Sequence, residues 1–344
     1  MPFPINSGRT RSARHTTDYL SCGAPGAPLV ILVHGWPERA ISWRHQLRYL
    51  AELGFLAVAP DMRGYGSSSV YLRHEDYAIE QASLDMLELL ASLGQERAIW
   101  IGHDWGSPVV WSIASHHPEH CIAIANLCVP YQPGGFTIES LLPLIDRAVY
   151  PADRFPAGQW EYFLFYREQF ARVQATLEAN VTATVKALFR SGRPDGQGKP
   201  AMLAYARIQN GWFGGATRAP DLPMDPAVLD EASMSVYVEG LQRNGFFGPG
   251  SWYLNDELNA AYAKRSVNGG RLELPVLFLH GRYDYTCETM TSPLAQPMRA
   301  NCTQLTEAVI DSGHWMAQEQ PAAVNRELAG WLSALSDWLS KLPS

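Results

Sequence analysis

The stretch Ala98-Ile-Trp-Ile-Gly-His-Asp-Trp-Gly-Ser-Pro-Val-Val110 predicts a buried strand, a sharp turn and a helix in succession. Its apolar start favours a strand, and the apolar positions after the turn favour a helix that stops before Pro118. Gly102 and Gly106 flank Asp104, and a strand-to-helix turn this tight leaves no room for side chains at the two flanking positions. The pattern therefore places Asp104 in the middle of the turn.

The segments around this stretch alternate between short apolar runs and stretches with helical spacing of apolar residues. The strongest run, at 28–33, is rich in β-branched residues, which suits a parallel strand buried on both faces. This alternation predicts an α/β fold with an open, mostly parallel sheet flanked by helices. Further strands are predicted at 54–59, 121–128, 274–279 and, more weakly, 305–310, and helices at 42–53, 80–93 and 322–339.

Between residues 131 and 255 the sequence changes in character. Its loops carry proline and glycine, its helical segments are aromatic, as in Trp160-Glu-Tyr-Phe-Leu-Phe-Tyr166, and it offers few candidate strands. We therefore expect a mostly helical insertion at 131–255 within a core formed by residues 1–130 and 256–344.

Composition indicates a globular chain and narrows its partners. Of the 344 residues, 47% are hydrophobic and 18% charged, which provides a core and argues against disorder. The net charge is −7, and no run of Lys or Arg could follow a phosphate backbone, so we expect no nucleic-acid partner. Because neither a signal peptide nor roughly 18 unbroken apolar residues are found, we expect a soluble cytoplasmic protein without a membrane segment.

Five cysteines lie at scattered spacings: Cys22, Cys121, Cys128, Cys287 and Cys302. An odd number without a CxxC pair fits neither a disulfide framework nor a zinc site. The histidines likewise have no acid-rich pattern around them. The sequence therefore predicts reduced, mostly buried thiols, no metal and no cofactor.

A carboxylate in the turn indicates a different reaction from that of the serine usually found there. Serine at this position attacks acyl carbons, whereas Asp104 is ionised near pH 7 and suits attack on a tetrahedral carbon. Such attack gives an alkyl ester of the enzyme, which water can cleave once a histidine deprotonates it. This chemistry requires a histidine, an acid that orients the histidine, and donors for an oxyanion.

Later segments supply these groups in the chain order nucleophile, acid, histidine. Asp284 follows a predicted strand, and His314 lies in the loop after the last predicted strand. Asp311 is a competing acid near His314. The backbone N–H groups of Trp105 and Trp36 are the expected oxyanion donors.

Four motifs in this order resemble the soluble epoxide hydrolase branch of the α/β-hydrolase superfamily. They are His34-Gly-Trp-Pro37, Asp61-x-Arg63-Gly-Tyr-Gly66-x-Ser68, Gly102-His-Asp-Trp-Gly106 and Gly313-His314-Trp315. The resemblance covers nearly the whole chain and implies a core sheet with a helical cap inserted in the middle. It also implies epoxide hydrolysis, with a small-molecule epoxide and water as the reactants.

In that family two cap tyrosines hold the epoxide oxygen and donate a proton as the ring opens. The segment Trp252-Tyr253 resembles one of the family's tyrosine positions, so the resemblance implies that Tyr253 is one donor. It favours Tyr162 as the other, although the same predicted helix offers more than one tyrosine. The chain departs from better-known members at Phe163, where they often carry Gln, and at Gln169-Phe170, where they carry Pro-Gly.

Two other functions share part of this pattern. Haloalkane dehalogenation uses the same nucleophile but needs N–H donors for halide, and the loop at 34–37 lacks the Asn that often supplies one. A non-catalytic relative would show a broken triad, and the sequence shows none. Apolar walls of a substrate pocket are expected from Trp36, Trp105, Phe163 and Trp315, whereas His34 and His103 are expected to stabilise loops.

Overall fold

A computed structural model describes residues 3–339, which form an eight-stranded sheet flanked by helices. The strands are β1 (Asn6–Arg11), β2 (Thr16–Cys22), β3 (Leu29–Val33), β4 (Leu56–Pro60), β5 (Ala98–His103), β6 (Cys121–Leu127), β7 (Leu272–Gly281) and β8 (Cys302–Ile310). Their order across the sheet is β1-β2-β4-β3-β5-β6-β7-β8. Strand β2 runs antiparallel to both β1 and β4, whereas all other neighbours are parallel.

Helices occupy the connections between these strands and the carboxyl-terminal part of the chain. They are α1 (Arg44–Glu52), α2 (Ile79–Ser92), α3 (Gly106–His116), α4 (Ile138–Leu141), α5 (Glu161–Glu178), α6 (Val181–Leu188), α7 (Glu231–Asn244), α8 (Phe247–Ser251), α9 (Asp256–Ala263), α10 (Gln296–Asn301), α11 (Met316–Glu319) and α12 (Pro321–Leu339). Within residues 3–339, no helix combines the length and apolar character needed to cross a membrane.

The predicted α/β architecture with a mostly parallel sheet is confirmed. Every strand and helix predicted from residue 28 onward is present, with ends that differ by a few residues. Gly94, expected to end the helix at 80–93, adopts a φ of +70° directly after the last turn of α2. This left-handed conformation is the one that glycine provides at helix ends.

The hairpin of β1 and β2 was not predicted. Strand β1 has the sequence Asn-Ser-Gly-Arg-Thr-Arg and is mostly exposed, so it carries no apolar alternation that would mark a strand. Its position at the edge of the sheet explains this polarity, because an edge strand needs no second buried face. Arg9 and Asp18 pair across the hairpin, with 2.9 Å between a guanidinium nitrogen and a carboxylate oxygen.

The sheet topology brings the catalytic candidates together at the carboxyl ends of the strands. Strands β3 and β5 are neighbours in the buried centre of the sheet, with Val33 opposite Gly102, so the loops that follow them are adjacent. Strands β7 and β8 are also neighbours, with Gly281 opposite Ile310. Ligands of open α/β sheets bind at such carboxyl ends, where the strand order reverses.

The chain between β6 and β7, residues 128–271, is called the helical segment below. Its elements are α4 to α9 and short helical turns, and within the described residues its β pairing is a single bridge between Phe213 and Ala216. Helix α5 is interrupted at Gln169, which has φ −138° and ψ 36°. This interruption falls where the sequence departs from better-known family members. The predicted cap boundaries, 131 and 255, stay a prediction.

Candidate active site

The turn that carries Asp104 joins β5 to α3 and has a strained backbone. Asp104 has a φ of +48°, in the left-handed region that non-glycine residues rarely adopt. A Cβ atom added at Gly106 would lie 2.1 Å from the carbonyl oxygen of Val33, so glycine is needed for α3 to start this close to β3. The structure therefore has the strand, turn and helix that the sequence predicts around Asp104.

His314 lies between two carboxylates. Its Nδ1 is 2.7 Å from Oδ2 of Asp284, and its Nε2 is 3.3 Å from Oδ2 of Asp104. The side chain of Asp284 is 1% exposed, whereas those of Asp104 and His314 are 16% and 20% exposed, which leaves both open to a small reactant. The competing acid Asp311 instead forms an exposed ion pair with Arg282.

Asp284 is held in its ionised form. Its Oδ1 accepts hydrogen bonds from the backbone N–H groups of Thr286 (3.2 Å) and Cys287 (3.0 Å). Burial opposes ionisation, but the charge and hydrogen bond of His314 outweigh burial and lower the pKa of Asp284. A fixed negative charge at Asp284 can therefore orient the imidazole.

The same contacts act on the imidazole of His314. Burial alone would lower its pKa, but the charge of Asp284 and the hydrogen bonds to Asp104 and Asp284 raise the pKa of His314 well above 6.5. These contacts favour the protonated form of the imidazole while no substrate is bound. An ester on Asp104 would remove one of these charges and so lower the pKa of His314, which favours the neutral imidazole that can accept a proton from water.

The loop after β3 brings a backbone donor to Asp104. The N–H of Trp36 donates to Oδ1 of Asp104 at 2.6 Å. This approach depends on Gly35, because a Cβ atom there would lie 2.4 Å from the same oxygen and 2.6 Å from the backbone nitrogen of Trp105. Both expected oxyanion donors thus lie beside one carboxylate.

The helical segment places Tyr162 and Tyr253 near this carboxylate. Tyr162 lies in α5 and Tyr253 in the short turn after α8, and the centroids of their rings are 5.6 Å apart. Tyr253 also meets the indole of Trp105 edge to face at 5.2 Å. A further tyrosine of α5, Tyr166, stacks on Tyr253 with 4.6 Å between ring centroids. The structure therefore brings together three tyrosines, including the two named from the sequence.

Phe163 and Trp315, both expected to form apolar walls of the pocket, lie in different places. Phe163 stacks on Trp105 at 5.8 Å and meets Tyr253 at 4.9 Å, so it lies against the nucleophile turn. Trp315 instead stacks on Phe189 at 4.5 Å and donates its indole N–H to the carbonyl of Leu188. Trp315 thus ties the loop of His314 to the end of α6.

Trp212, which the sequence did not single out, is a neighbour of several site residues. It lies in the loop between α6 and α7, and its ring centroid is 5.2 Å from that of Trp36 and 5.8 Å from that of Tyr162. It is 2% exposed. The residues around Trp212 show no helical or strand periodicity. The sequence marked this position as a candidate site residue only by its residue type.

A buried ion pair lies behind His314, and the sequence did not predict its acid. His103 Nδ1 is 2.6 Å from a carboxylate oxygen of Glu38, and His103 Nε2 donates to the carbonyl of His314 at 2.7 Å. Burial opposes both charges, but their mutual attraction raises the pKa of His103 to about 10 and lowers that of Glu38 to about 2. The pair fixes the backbone of His314, in keeping with the loop-stabilising role expected of His103.

Two groups of side chains in the described residues have the chemistry of metal ligands. They are His103, Cys128 and His314, and Asp284, Cys287 and His314, with ligand atoms within 4.8 Å of one another. Both groups share His314, whose two ring nitrogens already contact carboxylates. A metal there would break the arrangement around Asp104, so we assign none. All five cysteines are free and buried.

Comparison with known proteins identifies the family of this chain. Residues 28–321 match the alpha/beta hydrolase fold family. Epoxide hydrolase A of Mycobacterium tuberculosis is 34% identical over 92% of this chain and 94% of its own length. Bifunctional epoxide hydrolase 2 of Sus scrofa is 32% identical over 89% of this chain, which spans 51% of that longer protein.

Solved structures show the same relationship. The crystal structure of epoxide hydrolase A from Mycobacterium thermoresistibile is 29% identical, with a TM-score of 0.79 over 96% of this chain and 98% of that one. An epoxide hydrolase from an endophytic Streptomyces is 28% identical, with a TM-score of 0.78 over 97% and 96% of the two chains. The chain therefore belongs to the epoxide hydrolase family of the α/β-hydrolase fold.

Proposed function

We propose that this chain hydrolyses epoxides to vicinal diols through an ester on Asp104. The observation that carries the proposal is that His314 contacts both Asp104 and Asp284 while the N–H of Trp36 donates to Asp104. One arrangement thus supplies a nucleophile, a base and an oxyanion donor. Membership in the epoxide hydrolase family supports the same reaction.

In the first step an oxygen of Asp104 attacks an epoxide carbon. A bond forms between that carbon and the carboxylate oxygen, and the ring C–O bond breaks to give an alkoxide. The phenols of Tyr253 and Tyr162 hold the alkoxide oxygen, and one of them gives it a proton. Burial, with a smaller contribution from acidic neighbours, raises the pKa of both phenols well above 10, so both are protonated when the substrate arrives.

In the second step His314 takes a proton from water, and the hydroxide attacks the carbonyl carbon of the ester. The N–H groups of Trp36 and Trp105 stabilise the oxyanion that forms. The bond from the carbonyl carbon to the alkyl oxygen then breaks, and this oxygen takes the proton of the new carboxylic acid. The proton on His314 returns to the tyrosinate, so the sum is epoxide plus water to diol.

We also propose that residues 131–255 act as a cap over the nucleophile turn. Tyr162 and Tyr253 both come from this part of the chain, whereas Asp104, Asp284 and His314 come from loops that follow strands. A cap supplies the acid for ring opening, and the sheet supplies the groups that form and cleave the ester. This division keeps the proton donors and the nucleophile on opposite sides of the substrate.

Trapping the ester tests the proposal. In a His314→Gln enzyme mixed with styrene oxide, we expect the peptide that contains Asp104 to gain the mass of one substrate molecule. His280→Gln, which replaces a buried histidine bonded to Thr289 and Glu307, is a matched control and should show no adduct. An adduct on another residue would contradict the assignment of the nucleophile.

A second experiment follows the oxygen of water. In a single turnover in ¹⁸O-labelled water, the wild-type enzyme should place the label in Asp104 and leave the diol unlabelled. Label that enters the diol directly would overturn the ester mechanism. Halide release from a haloalkane without diol formation from styrene oxide would favour dehalogenation, the rival that uses the same nucleophile.

A further inference from the structure

Three neighbouring polar groups beside the active site are buried without a hydrogen-bond partner within 3.5 Å. They are the indole N–H groups of Trp36 and Trp212 and the phenol of Tyr166. The three residues are only 5%, 2% and 1% exposed. A buried donor without a partner lowers stability, so such groups in a native site call for an explanation.

These three side chains are neighbours, and we call them the polar corner. The ring centroids of Trp36 and Trp212 are 5.2 Å apart, and those of Trp212 and Tyr166 are 5.5 Å apart. The indole N–H of Trp36 faces the phenol of Tyr166 as a weak hydrogen-bond donor and lowers the pKa of that phenol, against the larger opposite effect of burial. The unpaired groups therefore form one cluster.

The polar corner adjoins the reaction centre. The backbone N–H of Trp36 donates to Asp104 at 2.6 Å, so the residue that carries this indole contacts the nucleophile directly. The ring of Tyr166 stacks on that of Tyr253 at 4.6 Å, and Trp212 meets Tyr162 at 5.8 Å. The corner therefore borders the place that an epoxide in contact with Asp104 would occupy.

The other buried indoles of the described residues are divided, because those of Trp43, Trp160 and Trp252 also lack a partner. Trp100, Trp111 and Trp315 donate to backbone carbonyls at 3.0, 2.9 and 2.9 Å. Some buried groups elsewhere also lack a partner, such as the phenol of Tyr262, which stacks on His116 away from Asp104. What distinguishes the polar corner is that three such groups meet beside the nucleophile.

We propose that the polar corner binds an oxygen of the substrate, so that the enzyme selects epoxides with an ether, hydroxyl or carbonyl oxygen a few bonds from the ring. The indoles can only donate, and the phenol can donate, so the group that they recognise is an acceptor. The inference rests on the proposed epoxide hydrolysis. An all-carbon substituent would leave the donors unpaired, and such sites discriminate against it.

A matched pair of substrates tests the inference. Propyl glycidyl ether and 1,2-epoxyheptane have side chains of equal length and differ by one ether oxygen in place of a methylene. We expect Tyr166→Phe and Trp212→Phe each to lower the ratio of kcat/KM for the ether to kcat/KM for the alkane, by about tenfold, the usual effect of one hydrogen bond. Comparing variants on the same two substrates cancels their different intrinsic reactivity.

Tyr262→Phe is the control, because it removes a buried, unpaired phenol outside the site; its ratio should equal that of the wild type. Unchanged ratios in both corner variants would overturn the inference. Equal losses on both substrates would also overturn it, by assigning Tyr166 to ring opening. Wild-type enzyme that hydrolyses neither epoxide would instead contradict the proposed function itself.

Discussion

Two regions of the molecule meet at Asp104: the loops at the carboxyl ends of the strands, called the carboxyl edge, and the aromatic residues of the helical segment, called the aromatic side. They differ in whether their buried groups have hydrogen-bond partners. At the edge, each charged group of the site has partners: His314 contacts two carboxylates, and His103 pairs with Glu38. On the aromatic side, the phenol of Tyr166 and the indole N–H of Trp212 are buried without a hydrogen-bond partner within 3.5 Å. The charged groups at the edge are thus paired without substrate, whereas these two groups of the aromatic side are not.

This difference follows from the chemistry that each region performs. Ester formation and cleavage need charges fixed in advance, because preorganised groups cost no rearrangement as the reaction proceeds. Proton donation and substrate recognition instead need groups that the substrate itself satisfies. The comparison therefore predicts that changes at the edge affect all substrates alike, whereas changes on the aromatic side depend on the substrate.

The largest effect is expected from Asp284→Asn at the edge. The amide keeps the shape of the side chain but loses the charge that orients His314, and the equivalent change in a serine protease triad lowers kcat by about 10⁴-fold. We expect a loss of that order in diol formation, measured for several epoxides. Asp311→Asn removes an exposed acid in the neighbouring loop and should keep wild-type kcat. Similar losses in the two variants would contradict the role of Asp284.

A smaller effect is expected from Tyr253→Phe on the aromatic side. Loss of a proton donor typically lowers the rate by about 10²- to 10⁴-fold, and with Tyr162 still present we expect about 10³-fold in kcat for styrene oxide. Tyr131→Phe removes a phenol that donates to the carbonyl of Gly270, outside the site. This control should lose about 1 kcal/mol of stability and keep its rate. Full epoxide turnover by Tyr253→Phe would count against ring opening by this phenol.

The sequence predicted the two regions unequally. Strands such as β3 and β5 are buried on both faces and therefore show continuous apolar runs. Strand β8 has five exposed positions and gave a weak signal, and the exposed strand β1 gave none. Burial on both faces is thus what made the core of the sheet visible in the sequence.

The residues of the site were also predicted unequally, according to how closely each one follows a regular element. Asp104 and His314 lie in short loops after strands, where glycines and chain order mark them, so their meeting follows from the topology. Trp212 lies in an irregular loop, and its approach to Trp36 depends on how a long segment packs. Glu38 was likewise not predicted, because its partner His103 is 65 residues away and only the pairing of β3 with β5 brings them together.

Gly35→Ala tests whether the edge depends on close approach between its loops. A Cβ atom at this position would lie 2.4 Å from Oδ1 of Asp104, so the loop after β3 must move. Misplacement of a catalytic group by about 1 Å can cost about 10²-fold, and we expect a loss of that order in kcat. Gly330→Ala, at an open position in α12, should stabilise the chain by about 0.5–1 kcal/mol and leave kcat unchanged.

If Gly35→Ala kept full activity, the backbone donor at Trp36 would not depend on the spacing of the two loops. The edge would then be as adaptable as the aromatic side, and the contrast between the regions would weaken. A crystal structure of the variant would show whether the N–H of Trp36 still contacts Asp104.

The smallest effect concerns stability and comes from the buried pair of Glu38 and His103. Below pH 6.5 both the folded and the unfolded chain hold the proton of His103, so its stabilising contribution is complete. Between pH 6.5 and about 10 only the folded chain keeps this proton, so the free energy of unfolding falls as pH rises. Glu38 acts on the acid side, where its contribution is complete above pH 4.5 and is lost as pH falls to about 2.

Denaturant unfolding between about pH 7 and pH 9 measures this contribution, with the neutral variant Glu38→Gln/His103→Gln as the reference. One proton changes the free energy of unfolding by at most about 1.4 kcal/mol per pH unit, and we expect the wild type to be steeper by up to that amount. Equal slopes would mean that the pair is not ionised, and the carboxyl edge would then lack the fixed charges that set it apart from the aromatic side.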